Sequence, residues 1–175
     1  IGQGDLLATP MQMATVAAAI ANRGKVVRPK MLLSSDVSID EVGTIGELPS
    51  VLGLDGEDWE LMIDAMENVV HRGGQGFRGN GTAWAYIGQQ VGYRMAGKSG
   101  TAQVVEISQG EEYDEEQLSE FRRKHAWFIA FAPVDDPTIA LAVLVENGGG
   151  GSSVAAPVAK AIIDAHLTEE LASIH

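Results

Sequence analysis

The chain has 175 residues, of which 45% are hydrophobic, and its 24 acidic and 12 basic side chains give a formal net charge of −12. A chain of this length and composition can bury one core, so general disorder is excluded. The acidic balance argues against nucleic acid or anionic lipid as a partner, because both require a basic surface. Since the sequence contains no cysteine, disulfides and thiolate metal sites are excluded as well.

The first predicted helix begins within residues 9–12. Thr9 is a favourable N-cap, Pro10 suits the first helical position, and Gln12 completes a capping box. Apolar residues then recur at helical spacing, and Gly24 is expected to end the helix.

Extended chain precedes the second predicted helix. Residues 25–33 have strand character, but the proline among them restricts them to an edge strand or an extended connection. Residues 34–50 are predicted to form a loop. A second helix is predicted over residues 56–71, where one face is apolar and the first turn is acidic. His71 lies at its end and is expected to act as a capping residue.

A glycine-rich segment, residues 73–81, follows the second helix. Residues 74–79 match the G-x-G-x-x-G pattern, but a dinucleotide-binding motif follows a strand rather than a helix. The segment is therefore predicted to be a loop. It ends at Thr82, which is expected to cap a short helix that runs through Ile87.

Residues 92–99 match the P-loop pattern G-x-x-x-x-G-K-[ST], which offers a nucleotide-binding interpretation. A P-loop must open into a helix, because the helix N-terminus binds the phosphates. The residues after Ser99 include a glycine and β-branched side chains, which favour a strand. A P-loop nucleotide binder therefore stays only as an alternative.

The second interpretation of the same residues is a strand over residues 96–107 that carries a K-[ST]-G motif. Lys98 supplies a cation, and Ser99 and Thr101 supply two hydroxyls on a rigid extended chain. Such a group of donors suits an anionic ligand. K-[ST]-G is also the third signature of the penicillin-recognising serine enzymes.

An acidic stretch and a hairpin follow this strand. Six acidic residues crowd into residues 111–120, which predicts a solvated, mobile loop. Residues 127–132 and 139–145 are continuous apolar runs joined by a short proline-containing link, which predicts two antiparallel strands with both faces covered.

A final helix ends the chain, and the predicted fold class is α+β, with an antiparallel β-sheet flanked by helices. The predicted packing face of this helix consists of Val154, Val158, Ala161, Ile162 and Ala165.

Four stretches together resemble the class B penicillin-binding proteins, which are the transpeptidases that cross-link peptidoglycan, and most closely the penicillin-binding protein 2 branch of cell elongation. They are IGQG at residues 1–4 with ATPMQM at 8–13, KSGTAQ at 98–103, HAWFIAFAP at 125–133 and AAPVA at 155–159. The resemblance implies part of the penicillin-binding protein and serine β-lactamase transpeptidase fold. Residues 1–175 would be the C-terminal portion of a single transpeptidase domain.

The resemblance also implies roles for individual residues. Lys98 and Thr101 would be catalytic, because the ammonium would help the proton relay and the Thr101 backbone N–H would be one of two oxyanion donors. The Ser99 and Thr101 hydroxyls would hold the carboxylate of a D-Ala-D-Ala terminus or of a β-lactam. The implied substrate-binding set is Lys98, Ser99, Gly100, Thr101 and Gln103.

The nucleophile of this family has no match in the sequence. No serine begins a Ser-x-x-Lys or a Ser-x-Asn motif. Ser34-Ser35-Asp36 and Ser38-Ile39-Asp40 fit a Ser-x-Asp variant, but they follow IGQG, whereas the family places its second motif before it. The chain is therefore expected to be a piece of a longer protein whose nucleophile lies upstream, and to be inactive alone.

The expected partners of the parent protein are peptidoglycan stem peptides ending in D-Ala-D-Ala, β-lactam antibiotics and proteins of the cell-elongation machinery. The resemblance implies a periplasmic protein anchored in the bacterial inner membrane. No cofactor is expected, and no metal, because the four histidines lack ligand spacing. The four histidines are His71, His125, His166 and His175.

A non-catalytic interaction module on the same fold stays as a further alternative.

Overall fold

The computed structural model describes residues 7–27, 29, 46–47, 54–74, 76, 79–102 and 123–173. Within these ranges the chain forms three α-helices and five strands, and none of its helices combines the length and apolar character needed to cross a bilayer. In chain order the elements are α1 (Pro10–Ala21), β1 (Lys25–Val26), β2 (Gly46–Glu47), α2 (Gly56–His71), β3 (Ala96–Ala102), β4 (His125–Ala132), β5 (Ile139–Val145) and α3 (Ala156–Ser173).

Helix α1 begins and ends where the sequence predicts. The Thr9 hydroxyl accepts a hydrogen bond from the Gln12 backbone N–H at 3.2 Å, and the Gln12 side chain accepts one from the Thr9 N–H at 2.8 Å. This reciprocal pair is the predicted capping box. After Ala21 the chain passes through Arg23 at φ 53° and Gly24 at φ 90°, so the predicted glycine stop is confirmed.

Helix α2 also has the predicted bounds, and a second capping box starts it. The Asp55 carboxylate accepts from the backbone N–H groups of Glu57 and Asp58 at 2.9 and 3.1 Å, and the Asp58 carboxylate accepts from the Asp55 N–H at 3.0 Å. These carboxylates satisfy N–H groups that have no partner inside the helix and complement its dipole.

Strands β3, β4 and β5 form an antiparallel sheet in that order, which confirms the predicted hairpin and the α+β class. Strands β1 and β2 form a separate two-residue pair, in which Lys25 lies opposite Glu47. Strand β2 lies within residues 34–50, so the prediction of a loop there was wrong at that point. Strand pairing depends on residues far apart in sequence, and two residues are too few to show a pattern of period two.

Both faces of β4 are covered, as its continuous apolar sequence predicts. Phe128 and Ala130 lie in one buried cluster with Ala159 and Ile163 of α3. Ile129 and Phe131 lie in a second buried cluster on the opposite face, with Ala17 and Ala21 of α1 and with Ile63 and Met66 of α2. Strand β5 is mostly half-buried instead, because it is one of the two outer strands of the described sheet.

Val154 packs against the core as predicted, but it lies before α3, and the helix itself buries a different face from the predicted one. Its buried residues are Ala156, Ala159 and Ile163, together with Ala155 just before the helix, whereas Val158 and Ile162 are 43% and 45% exposed. A wide π-type turn, Gly151–Ala155, precedes the helix, and its last residue already belongs to the buried face. Alanines on that face also allow close approach to the sheet, so residue size alone misleads. Ala161 and Ala165 are exposed as well.

Candidate functional site

The K-[ST]-G motif lies on β3, as the strand interpretation predicts. Because successive side chains of a strand point to opposite faces, Ser99 and Thr101 lie on the face of their cross-strand partners Phe128 and Ala126. Lys98 lies on the other face. The two hydroxyls of the motif therefore share one face of a sheet strand.

The position of Lys98 rules out the P-loop alternative. A P-loop lysine opens a helix, whereas Lys98 lies inside an antiparallel strand with Ile129 directly opposite. Its side chain is exposed, and its ammonium donates a hydrogen bond to the carbonyl oxygen of Ser99 at 2.5 Å. A positive charge is therefore held beside the backbone of Ser99, one of the two hydroxyl-bearing residues.

A third hydroxyl, that of Thr82, lies beside the motif. Its Oγ1 is 3.4 Å from Ser99 Oγ, although the two residues are 17 positions apart. The sequence predicted Thr82 as the cap of a short helix through Ile87, and this was wrong. Residues 82–87 form hydrogen-bonded turns, followed by a 3-10 helix, Gly88–Gln90, so no regular α-helix starts there.

The turn Gly151–Ala155 borders the motif on the face that carries Ser99 and Thr101. A Cβ at Gly151 would lie 2.4 Å from the carbonyl oxygen of Gly100 and 2.3 Å from that of Trp127. Both distances are far shorter than van der Waals contact, so the backbone of this turn can approach the strand only at a glycine.

The residues just before β3 are held by α2. The Met95 backbone N–H donates to His71 Nε2 at 3.0 Å, and Arg94 forms two hydrogen bonds of 2.7 Å with the Glu67 carboxylate. His71 was predicted to be a capping residue, and this was wrong, because its imidazole instead joins the helix end to the start of β3.

The titration of His71 and Glu67 follows from these contacts. Partial burial lowers the pKa of His71, which keeps the ring neutral and leaves Nε2 able to accept. The hydrogen bonds from Arg94 hold the pKa of Glu67 below its ordinary value. At neutral pH this junction therefore combines a neutral acceptor with a charged pair.

His125 is the first residue of β4 and lies opposite Ala102 of β3. Its Nδ1 accepts from the Asn147 backbone N–H at 2.9 Å, which gives it a structural role. Among the described residues, no group of three or more His, Asp or Glu side chains could hold a metal ion.

Several predicted features lie outside the described residues. They are the IGQG stretch at residues 1–4, both Ser-x-Asp stretches, Gln103, the acidic residues 111–120 and His175. The assignment of Gln103 to the substrate-binding set stays a prediction.

Comparison with known proteins gives consistent matches. A model described as the penicillin binding protein transpeptidase domain matches residues 1–164. The peptidoglycan D,D-transpeptidase MrdA of Haemophilus influenzae is 37% identical over 175 residues, which are 99% of this chain and 26% of that protein. The chain thus spans about a quarter of the length of the curated relatives that it matches.

Solved structures agree with this match. The crystal structure of Pseudomonas aeruginosa PBP2 in complex with WCK 5153 superposes with a TM-score of 0.70 at 38% identity, and the match covers 95% of this chain and 32% of that one. The complex between PBP2 and MreC from Helicobacter pylori gives a TM-score of 0.63 at 29% identity, over 88% of this chain and 24% of that one.

Proposed function

Because the chain belongs to the penicillin-binding protein transpeptidase family, we propose that it is the C-terminal portion of the transpeptidase domain of a peptidoglycan D,D-transpeptidase. In this proposal, β3 supplies the strand that binds the substrate. The observation that carries it is that Ser99 and Thr101 place two hydroxyls on one face of β3, with the Lys98 ammonium on the Ser99 carbonyl.

The two hydroxyls have the spacing that one carboxylate requires. Residues two apart on a strand are separated by about 6.6 Å. One carboxylate that accepts a hydrogen bond of about 2.7 Å at each oxygen bridges that separation. Ser99 and Thr101 would therefore hold the terminal carboxylate of a D-Ala-D-Ala stem peptide, or that of a β-lactam.

Lys98 would make this anion site favourable on a chain with a net charge of −12. A carboxylate approaching an acidic protein needs a local cation, and the attraction grows as the site loses water. The ammonium would also assist proton transfer during acylation. Gly100 and Gln103 complete the proposed substrate-binding set, and the backbone of Gly100 is closely approached by Gly151.

The Thr101 backbone N–H would be one of the oxyanion donors. Every second residue of an antiparallel strand directs its N–H and C=O to the same side. Thr101 therefore directs its N–H to the same side as the Ser99 carbonyl, which accepts from Lys98. Losing one such donor costs an acyl-transfer enzyme about 3–4 kcal/mol of transition-state stabilisation.

The nucleophile would come from the remainder of the longer parent, because no serine of this sequence begins a Ser-x-x-Lys motif. The parent would react through a serine acyl-enzyme, and the isolated chain would not be acylated. We place the parent in the periplasm, anchored in the inner membrane. We also propose cell-elongation proteins as partners, since the Helicobacter pylori relative forms a complex with MreC.

Covalent labelling of the full-length parent by a fluorescent penicillin tests this function. We expect Ser99→Ala and Thr101→Val each to slow labelling about 10-fold or more, because each removes a hydrogen bond to a charged group. Thr168→Val is the matched control, since that hydroxyl donates only to the Asp164 carbonyl within α3.

Two results would contradict the proposal. Labelling of the isolated 175-residue chain would show that the nucleophile lies within it. A full-length parent that penicillin does not label would favour the non-catalytic interaction module.

Lys98→Gln, compared with Lys25→Gln in β1, separates the effect of the motif cation on labelling from a general loss of positive charge.

A further inference from the structure

The Thr82 hydroxyl lies outside β3 in the sequence, yet it is beside the Ser99 hydroxyl of the motif. It lies 3.4 Å from Ser99 Oγ, which is longer than the usual 2.7–2.8 Å of an O–H···O hydrogen bond. A small rotation of either side chain closes this gap when a ligand fixes the Ser99 hydroxyl.

The backbone of Thr82 is held from both sides by the C-terminal end of α2. The Gly81 N–H donates to the Arg72 carbonyl at 2.7 Å, and the Ala83 N–H donates to the Val69 carbonyl at 3.0 Å. Ala83 is completely buried. A Cβ at Gly81 would lie 2.1 Å from the Asn68 carbonyl oxygen, so this approach requires glycine. The core, rather than a free loop, therefore places the Thr82 hydroxyl.

The same helix end also places β3. His71 accepts from the Met95 N–H one residue before the strand begins. Thr82 and Ser99 thus both belong to segments attached to the last turns of α2. Their separation is set by one rigid element, and such support is what a binding group needs from its surroundings.

Resting on the function proposed above, we infer that Thr82 is a positioning residue for substrate binding, and that it acts through Ser99. A serine hydroxyl has one proton and can accept at its oxygen. When Ser99 donates its proton to the substrate carboxylate, its oxygen is left to accept, and the Thr82 O–H donates to it. This second hydrogen bond fixes the direction of the first and strengthens it.

The test is the concentration dependence of acylation of the full-length parent by benzylpenicillin, which separates the apparent binding constant from the limiting rate. Thr82→Val removes the hydroxyl but keeps the shape of the side chain. We expect binding to weaken about fivefold with little change in the limiting rate, because one neutral hydrogen bond is lost from ground state and transition state alike. Thr82→Ser should restore binding.

A double-mutant cycle distinguishes positioning from a structural effect. If Thr82 acts through Ser99, Thr82→Val should have no further effect in the Ser99→Ala background. An equal loss in both backgrounds, or unchanged binding in Thr82→Val, overturns the inference. Thr82→Ala is a second variant that removes the hydroxyl, and the melting temperature of each variant shows that it is folded.

Failure of this inference is separate from failure of the proposed function. Ser99→Ala with unimpaired acylation would contradict the carboxylate-binding role of Ser99, and with it both proposals. If Ser99→Ala impairs acylation and the effect of Thr82→Val simply adds to it, only the role of Thr82 is overturned.

Discussion

Strand β4 and the lead-in to β3, residues 93–95, are fixed by different kinds of contact. In β4 five consecutive residues, 128–132, are buried in apolar clusters on both faces of the sheet. In the lead-in each residue makes a polar contact with a helix. These contacts are Tyr93 Oη to Asp164 at 2.8 Å, Arg94 to Glu67 at 2.7 Å and the Met95 N–H to His71 at 3.0 Å.

The difference separates stability from orientation. Apolar burial contributes a large free energy but has no direction. A hydrogen bond contributes only about 1 kcal/mol net, yet it fixes the direction of its partners. We therefore expect β4 to supply most of the stability of the sheet. The lead-in would set the direction in which β3 presents Lys98, Ser99 and Thr101.

The largest expected loss follows Phe128→Ala in β4. Phe128 is fully buried, so its removal leaves a cavity and should lower the free energy of unfolding by about 3–5 kcal/mol. Denaturant unfolding of the chain measures this loss. Val158→Ala is the control, because that side chain is 43% exposed. A loss below about 1 kcal/mol for Phe128→Ala would contradict the assignment of stability to β4.

A smaller loss is expected for Gly151→Ala, which extends the comparison to the backbone of β3. The new methyl group would meet the carbonyl oxygens of Gly100 and Trp127, so the turn must move away from the strand. Overpacking of this kind costs about 1–3 kcal/mol. Gly56→Ala is the matched control, because a Cβ there meets nothing within 4 Å. Equal stability of the two variants would show that the contact of Gly151 with β3 is not tight.

The third prediction concerns pH and the lead-in. Burial lowers the pKa of His71 in the folded state below 6.5, its ordinary value. At a pH between the folded pKa and 6.5, the folded state therefore binds fewer protons than the unfolded state. The contribution of His71 is complete above pH 6.5 and is lost as the pH falls through the folded pKa. Protonation also removes the acceptor for the Met95 N–H, a loss of about 1 kcal/mol.

His71→Gln should remove this dependence, because an amide oxygen accepts from Met95 at every pH. Urea unfolding at pH 7.5 and at pH 5 measures the change. The pKa of Glu67 is also lowered, but from 4.5. The stability that Glu67 contributes is therefore lost mainly below pH 4.5, outside the range from pH 7.5 to pH 5 that tests His71. If His71→Gln lost as much stability between pH 7.5 and pH 5 as the unsubstituted chain does, His71 would not be the titrating group.

The sequence predicts those parts of this fold that local chemistry determines. The capping box of Thr9 and Gln12 uses contacts only three residues apart. The apolar runs of β4 and β5 are long enough to indicate a buried hairpin. The K-[ST]-G strand was predicted because a glycine and β-branched residues follow Ser99, which disfavour a helix.

The parts that failed depend on contacts distant in sequence or on a local irregularity. The buried face of α3 was predicted wrongly because the small Ala156 and Ala159, rather than the larger Val158, pack against the sheet. Thr82 was predicted as a cap because threonine suits that position, but its hydroxyl lies beside Ser99. The available signal was Gly81, directly before the predicted cap, because glycine permits close backbone approach.

The smallest expected effect follows Arg94→Gln, and it tests the comparison most sharply. The Arg94 side chain is about half exposed and pairs with Glu67, whose side chain is 18% exposed, and with the exposed Asp135, so the melting temperature should fall by about one degree at low salt and by less at 1 M salt. Arg23→Gln is the matched control, because Arg23 forms an exposed pair with Glu60 away from β3. Both variants should lose equally little stability, but only Arg94→Gln should slow penicillin acylation of the full-length parent, because only Arg94 lies in the lead-in. If the two variants acylated at the same rate, the lead-in would not set the direction of β3.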